Sequence, residues 1–143
     1  MKQQLLLADK VRVMLQAACA ANRQLLETAL KGYRLSTAQA EVISILSIEG
    51  QLNIKQIGQM ITCEKSSPSR LLARMKGEGL VYISKNPDDK RSSLVRLTPR
   101  GEQLAEIIDR VNFTIDINTS KRLTTNEQLQ LEILLAKLSG QEL

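Results

Sequence analysis

Residues 64–101 read EKSSPSRLLARMKGEGLVYISKNPDDKRSSLVRLTPRG, and the rest of the chain is organised around this stretch. Serine ahead of Pro68 predicts a helix start, because serine can cap a first turn and proline presets its backbone φ. Gly79 is suited to a helix end. The β-prone runs 80–83 and 94–97 flank ten turn-forming and charged residues, which predicts a hairpin with a projecting tip.

The helix predicted after Pro68 has two different faces. At about 100° per residue, its apolar face holds Leu71, Leu72 and Met75. The opposite face is small, polar and cationic, and it consists of Ser66, Ser69, Arg70, Ala73 and Gly77, with Arg74 at the edge. A helix with such a face followed by a basic hairpin is the arrangement of a winged helix-turn-helix. There the helix enters the major groove of DNA and the hairpin touches an adjacent groove.

The charge of the chain is concentrated in this stretch. From Lys65 to Arg100, nine cationic residues stand against three acidic ones and give +6, whereas the whole chain carries +5. The remainder therefore sums to −1. A basic segment in a near-neutral chain indicates phosphate binding. The alternative is a solvated surface that happens to be basic.

Length and composition narrow the remaining possibilities. The 143 residues predict one domain, and three aromatic residues predict an aliphatic, mainly helical core. With no histidine, Ser/His and Cys/His catalytic pairs and most zinc sites are excluded, and no glycine-rich phosphate loop is found. We expect no enzyme and no cofactor. No apolar run approaches the roughly 20 residues of a membrane span, and no signal peptide is apparent, so we expect a cytoplasmic protein without a membrane partner.

Helical periodicity and caps place the other elements. Helices are predicted at about 5–31, 38–49, 54–61, 99–119 and 125–143, with Ser36 or Thr37 as the second cap, a capping box at Thr124–Glu127 and an extended connector at 51–53. The fold class is therefore mainly α with a small β-hairpin wing, in the order α-α-α-α-β-β-α-α.

We interpret residues 1–143 as a single domain with two parts. A winged helix-turn-helix lobe spans 35–101, and a helical dimerisation region consists of 1–32 and 102–143. The terminal helices carry more leucine and isoleucine than one small lobe can cover, and a monomer rarely leaves such a patch in water. Twofold pairing would bury it and set two recognition helices about one duplex turn apart.

Two cysteines occur, too few for a disulfide framework. Cys19 lies among alanines in the first helix, and Cys63 lies in the turn before Pro68. We interpret both as small buried fillers, because free cysteine commonly behaves as a small hydrophobe. The alternative is a redox-sensing regulator that uses Cys19 or Cys63. Cys63 is close to Lys65 in the sequence, and a neighbouring cation favours a reactive thiolate.

Several short segments carry a family pattern. They are LSTAQ at 35–39, SSPSRL at 66–71, GLV at 79–81, DDKRS at 88–92 and VRLTPRG at 95–101. In these segments the chain resembles the MarR family of bacterial transcription regulators. The resemblance implies a homodimer on a pseudo-palindromic double-stranded DNA operator, usually acting as a repressor, with small aromatic or anionic ligands that weaken DNA binding. Pro68 departs from the pattern, which more often has a β-branched residue there.

The resemblance and the charge pattern together give a set of expected DNA-contacting residues. The set is Thr37, Lys55, Lys65, Ser66, Ser67, Ser69, Arg70, Arg74, Asp89, Lys90 and Arg91. Arg70 and Arg74 suit guanine edges or phosphates. Arg91 suits a narrow minor groove of DNA, and we expect Asp89 to hold Arg91 in place. The alternative for that pair is an ordinary exposed ion pair.

The basic charge balance of the chain suits an anionic effector, and the resemblance implies a small organic anion of the salicylate kind. We expect it in a crevice lined by parts of the first, second and fifth helices, with Arg34 or Arg100 as its charge partner. Such a ligand acts through its differential affinity for two spacings of the lobes in the dimer.

A winged helix can also serve as a protein-interaction module, and that function is the alternative to DNA binding.

Overall fold

The structure, a computed structural model, describes residues 2–62 and 67–140, with the backbone only for residue 2. The described residues form α1 (Lys2–Leu30), a 3₁₀ turn (Lys31–Tyr33), α2 (Thr37–Glu49), β1 (Gln51–Asn53), α3 (Ile54–Met60), α4 (Pro68–Gly77), β2 (Val81–Lys85), β3 (Ser93–Leu97), α5 (Pro99–Ser120) and α6 (Thr125–Ser139). The predicted mainly α fold with a hairpin wing is confirmed.

The helix starts follow from reciprocal hydrogen bonds. The Ser36 hydroxyl accepts from the backbone N–H of Gln39 at 3.2 Å, and the side-chain oxygen of Gln39 accepts from the backbone N–H of Ser36 at 3.0 Å. Asn53 caps α3 and Thr124 caps α6 by the same reciprocal pairing. Of the two residues predicted as the N-cap of α2, Ser36 is therefore the cap. The capping box predicted at Thr124–Glu127 is confirmed.

The start of α5 is fastened to the segment that follows α4. The Thr98 hydroxyl accepts from the backbone N–H of Gly101 at 3.1 Å and donates to the carbonyl of Gly79 at 2.6 Å. The Thr98 N–H donates to the carbonyl of Leu80 at 3.1 Å. A Cβ on Gly101 would collide with that same Leu80 carbonyl oxygen and lie 3.1 Å from Leu97 Cδ2. Position 101 therefore requires glycine.

The strands form one antiparallel sheet in the order β1-β3-β2. The segment predicted as an extended connector is β1, and its Leu52 pairs with Val95 of β3. On the other side of β3, Val95 pairs with Ile83 of β2. Because β3 is central and Val95 is fully buried, the base of the hairpin is anchored in the core while its tip projects.

The contacts divide the chain into two units, one up to Val111 and one from Asn112. The first unit has an aliphatic core whose fully buried side chains include Leu30, Val42, Ile43, Leu46, Ile57, Leu72, Met75, Leu80, Val81, Val95 and Ile108. Among the described side chains of α1, only Leu30 and the partly buried Leu26, near its C-terminal end, join this core. The predicted aliphatic core is confirmed.

The second unit consists of the end of α5, a turn and α6. The side-chain amide of Gln128 donates to the carbonyls of Ser120 and Leu123, at 3.2 and 3.0 Å, and so closes the turn. The backbone N–H and the hydroxyl of Thr124 both donate to the Glu127 carboxylate and hold the pKa of that group below its usual value. The division into a lobe at 35–101 and a dimerisation region stays a prediction.

In the described part of the chain, no helix combines the length and the apolar character needed to cross a membrane.

Candidate nucleic-acid interface

Helix α4 has the two faces that the sequence predicts. Leu71, Leu72 and Met75 are buried in the core of the first unit. The exposed residues of the helix are Ser69, Arg70, Ala73, Arg74, Lys76 and Gly77. The apolar face therefore fixes α4 on the core and presents small and cationic side chains to the outside, a surface that suits the edge of a DNA groove.

The N-terminal end of α4 is packed closely on α3. The helix begins at Pro68 with Ser67 as its N-cap, and the carbonyl of Ser67 accepts from the backbone N–H of Arg70 at 3.0 Å. The Ser67 hydroxyl makes no capping hydrogen bond, so this serine does not cap through its side chain as the sequence suggested. A Cβ on Gly58 would lie 2.9 Å from Pro68 Cγ. Glycine at this position of α3 thus makes room for the proline.

The turn between α3 and α4 is tied to α2. The backbone N–H and the hydroxyl of Thr62 donate to the Glu41 carboxylate at 2.8 and 2.6 Å. Three residues singled out from the sequence in this turn, Cys63, Lys65 and Ser66, lie outside the described residues.

The C-terminal end of α4 is held by side chains of α2 and α5. The side-chain N–H of Gln39 donates to the Glu78 carboxylate at 2.6 Å. Arg100 donates to the carbonyl of Glu78 at 3.1 Å, where a cation also complements the negative end of the helix dipole. Arg100 was predicted as a ligand partner, and that role stays a prediction. Gln39 was not predicted to hold α4, because its spacing from Ser36 indicates only the local capping box.

The wing tip is ordered by its own hydrogen bonds. The backbone N–H of Asn86 donates to the carbonyl of Ser92 at 3.1 Å, and the N–H of Ser92 donates to the carbonyl of Asp89 at 3.0 Å. The Asp89 carboxylate accepts from the backbone N–H of Arg91 at 2.9 Å. Asp89 thus shapes the turn that carries Lys90 and Arg91, both of which are exposed. The contact to Arg91 runs through its backbone rather than its guanidinium.

A further exposed cation lies on the strands of the wing. Arg96 faces Tyr82 across the antiparallel pair, and its guanidinium lies 4.7 Å from the centre of the tyrosine ring. Stacking of this kind restrains the arginine. Arg96 contributes to the predicted basic charge but was not predicted as a contact residue, because only the strand register places it on the tyrosine ring.

The other predicted site residues lie at several places. Lys55 is exposed in the first turn of α3, and Thr37 is half-buried as the first residue of α2. Arg34 is exposed just before α2, with a positive φ of 56°. The roles of all these residues in binding stay predictions.

Cys19 is exposed on α1, so the interpretation of this residue as a buried filler is wrong for the single chain. The alanines around it are exposed as well, because among the described side chains of α1 only those near its C-terminal end reach the core. Among the described residues, no three His, Cys, Asp or Glu side chains are grouped so as to hold a metal ion.

Comparison with known proteins agrees with this geometry. The MarR family model matches residues 35–93. The multiple antibiotic resistance protein MarR of Salmonella typhimurium is 28% identical over 116 residues, 80% of this chain and 81% of its own. The transcriptional repressor IacR of Pseudomonas putida is 30% identical over 112 residues, 78% of this chain and 67% of its own. A crystal structure of mutant MarR from E. coli complexed with operator DNA superposes with a TM-score of 0.82 at 25% identity, covering 90% of this chain and 93% of that one.

The fold and the exposed cationic helix define a winged helix-turn-helix DNA-binding protein. The chain belongs to the MarR family of transcription regulators. Members of this family are regulators of transcription and not enzymes.

Proposed function

We propose that the protein is a homodimeric repressor that binds a pseudo-palindromic operator in double-stranded DNA and is released by a small organic anion. The observation that carries the proposal is the exposed cationic face of α4, fixed on the lobe by its fully buried Leu72 and Met75. A helix held in this way can enter the major groove as a rigid body.

The contacts divide between the helix and the wing. Arg70 and Arg74 reach guanine edges or phosphates in the major groove, and Ser67 and Ser69 donate to phosphates at the N-terminal end of α4. Lys90 and Arg91 enter the adjacent minor groove, whose negative potential attracts cations. Phosphate contacts from Thr37, Lys55, Lys65 and Ser66 complete the proposed interface, with Asp89 shaping the wing tip.

Pairing of two chains is supported by apolar side chains that the single chain leaves in water. On α1, Leu7 is 63% exposed, and Val11 and Met14 are also exposed. On α6, Leu134 is 62% exposed, and Leu131 and Leu138 are exposed as well. These residues recur at helical spacing, which is the pattern of a buried face. A second copy of the chain would cover them.

Dimerisation predicts a twofold symmetric binding site. Sedimentation of the purified protein at micromolar concentration is expected to give twice the chain mass. Genomic fragments retained by the same protein are expected to share an inverted repeat with half-sites about one helical turn apart, because two recognition helices reach successive major grooves on one side of the duplex. A stable monomer, or an enriched motif without inverted symmetry, would contradict the proposed assembly.

An open groove beside the start of α2 is the place that we propose for the effector. Its volume is about 460 Å³, and it is lined by residues of α1, the 3₁₀ turn and the start of α2, namely Gln24, Glu27, Thr28, Lys31, Leu35, Ser36 and Thr37. Small-molecule sites commonly have this size. Among the lining residues, Lys31 supplies a cation, and Thr28, Ser36 and Thr37 supply hydroxyl groups that can donate to a carboxylate, whereas Glu27 would oppose an anion placed on its side. Arg34 and Arg100, the predicted partners, are not among its lining residues.

Salicylate is therefore expected to lower operator affinity at constant ionic strength, so that simple screening is excluded. A ligand that prefers the unbound arrangement weakens DNA binding by its differential affinity for the two states. The measurement is a titration of the protein–operator complex, with chloride as the matched control. Lys31→Ala, Arg34→Ala and Arg100→Ala identify the charge partner, because only its loss abolishes release.

The same titration separates the redox alternative. If no anion acts beyond chloride while an oxidant releases the DNA, and Cys19→Ser or Cys63→Ser abolishes that release, a cysteine sensor replaces the anion proposal.

A further inference from the structure

We infer that Gln39 is a positioning residue for DNA recognition, because its hydrogen bond to Glu78 sets where the C-terminal end of α4 lies. The inference rests on the proposed reading of DNA by α4. It assigns part of the operator affinity to a side chain that is only 4% exposed and that contributes through another residue rather than through DNA.

Both ends of the Gln39 side-chain amide are used. The oxygen accepts from the backbone N–H of Ser36 at 3.0 Å, and the nitrogen donates to the Glu78 carboxylate at 2.6 Å. An ionised carboxylate can only accept, and a backbone N–H can only donate, so the orientation of the amide is determined by its partners. The same side chain therefore caps α2 and binds the residue that follows α4.

Glu78 transmits this restraint to the recognition helix. Its backbone N–H donates to the carbonyl of Arg74 at 3.0 Å, and Arg74 is one of the two arginines proposed to reach DNA. Its carbonyl accepts from Arg100 of α5. Glu78 is thus the point where side chains of α2 and α5 meet the last turn of α4. The neighbouring Gly77 has no side chain with which to hold that turn.

The hydrogen bond from Gln39 to Glu78 restrains α4 in a different way from the buried apolar face of the helix. Leu71, Leu72 and Met75 keep α4 against the core, but apolar contacts are not directional. A short hydrogen bond to a charged group is directional and stronger than a neutral one. We therefore assign a share of the rotational and lengthwise placement of the C-terminal end of α4 to the bond from Gln39, beside the contact of Arg100 with the Glu78 carbonyl.

The test compares two variants that remove the same charge at the same exposed position. Glu78→Gln keeps an acceptor for Gln39, whereas Glu78→Ala removes it. Operator affinity is expected to fall about three- to tenfold in Glu78→Ala relative to Glu78→Gln, the range that one hydrogen bond commonly supplies. Affinity for a scrambled duplex is expected to fall less, because phosphate contacts tolerate a displaced helix better than base contacts do.

A reciprocal exchange checks the contact itself. Gln39→Glu retains an acceptor for the Ser36 N–H, so the capping box survives, but it sets a carboxylate against the Glu78 carboxylate. Its operator affinity is expected to fall at least tenfold, and the double variant Gln39→Glu, Glu78→Gln is expected to recover to within about twofold of the parent, because the bond is restored with donor and acceptor exchanged. Gln39→Glu adds one negative charge and Glu78→Gln removes one. If the loss of operator affinity in Gln39→Glu arose only from its charge near DNA, Glu78→Gln alone would gain operator affinity by the same factor. That symmetric outcome would overturn the inference.

Two controls keep the inference separate from the function on which it rests. Binding is measured well below the thermal midpoint of every variant, so that all are folded. If Arg70→Ala and Arg74→Ala bind the operator like the parent, α4 does not read DNA and the proposed function fails. If those variants lose affinity while Glu78→Ala equals Glu78→Gln, only the role of Gln39 is wrong. Should Gln39→Glu fail to fold, the comparison at the exposed position 78 decides by itself.

Discussion

Replacement of Gly101 by alanine is expected to lower the free energy of unfolding by about 3 kcal/mol, the upper part of the range for an overpacked core. The new Cβ would meet the carbonyl oxygen of Leu80, which is rigid backbone, and it would also press on Leu97. To relieve this clash, the start of α5 must move away from Leu80. That movement breaks the hydrogen bonds that Thr98 donates to the carbonyls of Gly79 and Leu80. The measurement is urea denaturation followed by circular dichroism.

Gly77→Ala provides the matched control. Nothing lies within 4 Å of the position that its Cβ would occupy, and alanine is the better helix former, so this variant should be as stable as the parent or slightly more so. The account of the α5 start is wrong if Gly101→Ala unfolds at the same urea concentration as Gly77→Ala.

The second large effect is expected at Arg70. Arg70→Ala should weaken operator binding by about 1 to 3 kcal/mol and relax the sequence preference, since a bidentate arginine contact discriminates between bases by that amount. Arg91→Ala should weaken binding with a smaller change in the preferred core sequence, because the minor groove distinguishes bases poorly. Both arginines are exposed, so truncation should leave the fold intact. The measurement is binding to the selected operator and to single-base variants of it.

Lys121→Ala removes the same charge outside the proposed interface and controls for the net charge of the protein. If Arg70→Ala and Arg91→Ala both bind the operator as Lys121→Ala does, the assignment of the DNA contacts is wrong.

The faces of α4 and the place of the wing could be predicted because each depends on local patterns. Apolar spacing identifies Leu71, Leu72 and Met75 as core residues, and Pro68, at the first position of the helix, marks its start. The three-residue strand β1 could be placed only as an extended connector, because its pairing with β3 joins residues far apart in the sequence.

Contacts between distant residues could not be predicted for the same reason. Nothing in the spacing of Gln39 and Glu78 indicates their hydrogen bond, and the approach of Gly101 to Leu80 depends on the turn between α4 and β2. Cys19 was misjudged because alanine neighbours suggest a buried helix face, whereas this part of α1 lies outside the core of the lobe.

The proposed function depends on the binding of operator DNA by the exposed cationic helix α4 and the basic wing. The decisive measurement is the salt dependence of binding, made with the purified protein on its selected operator and on a scrambled duplex of equal length. We expect the logarithm of both affinities to fall linearly and steeply with the logarithm of salt concentration, because cationic side chains that bind phosphates release counterions from DNA. We also expect the operator to bind more tightly at every salt concentration. Binding that is indifferent to salt, or equal for the two duplexes at every salt concentration, would contradict it.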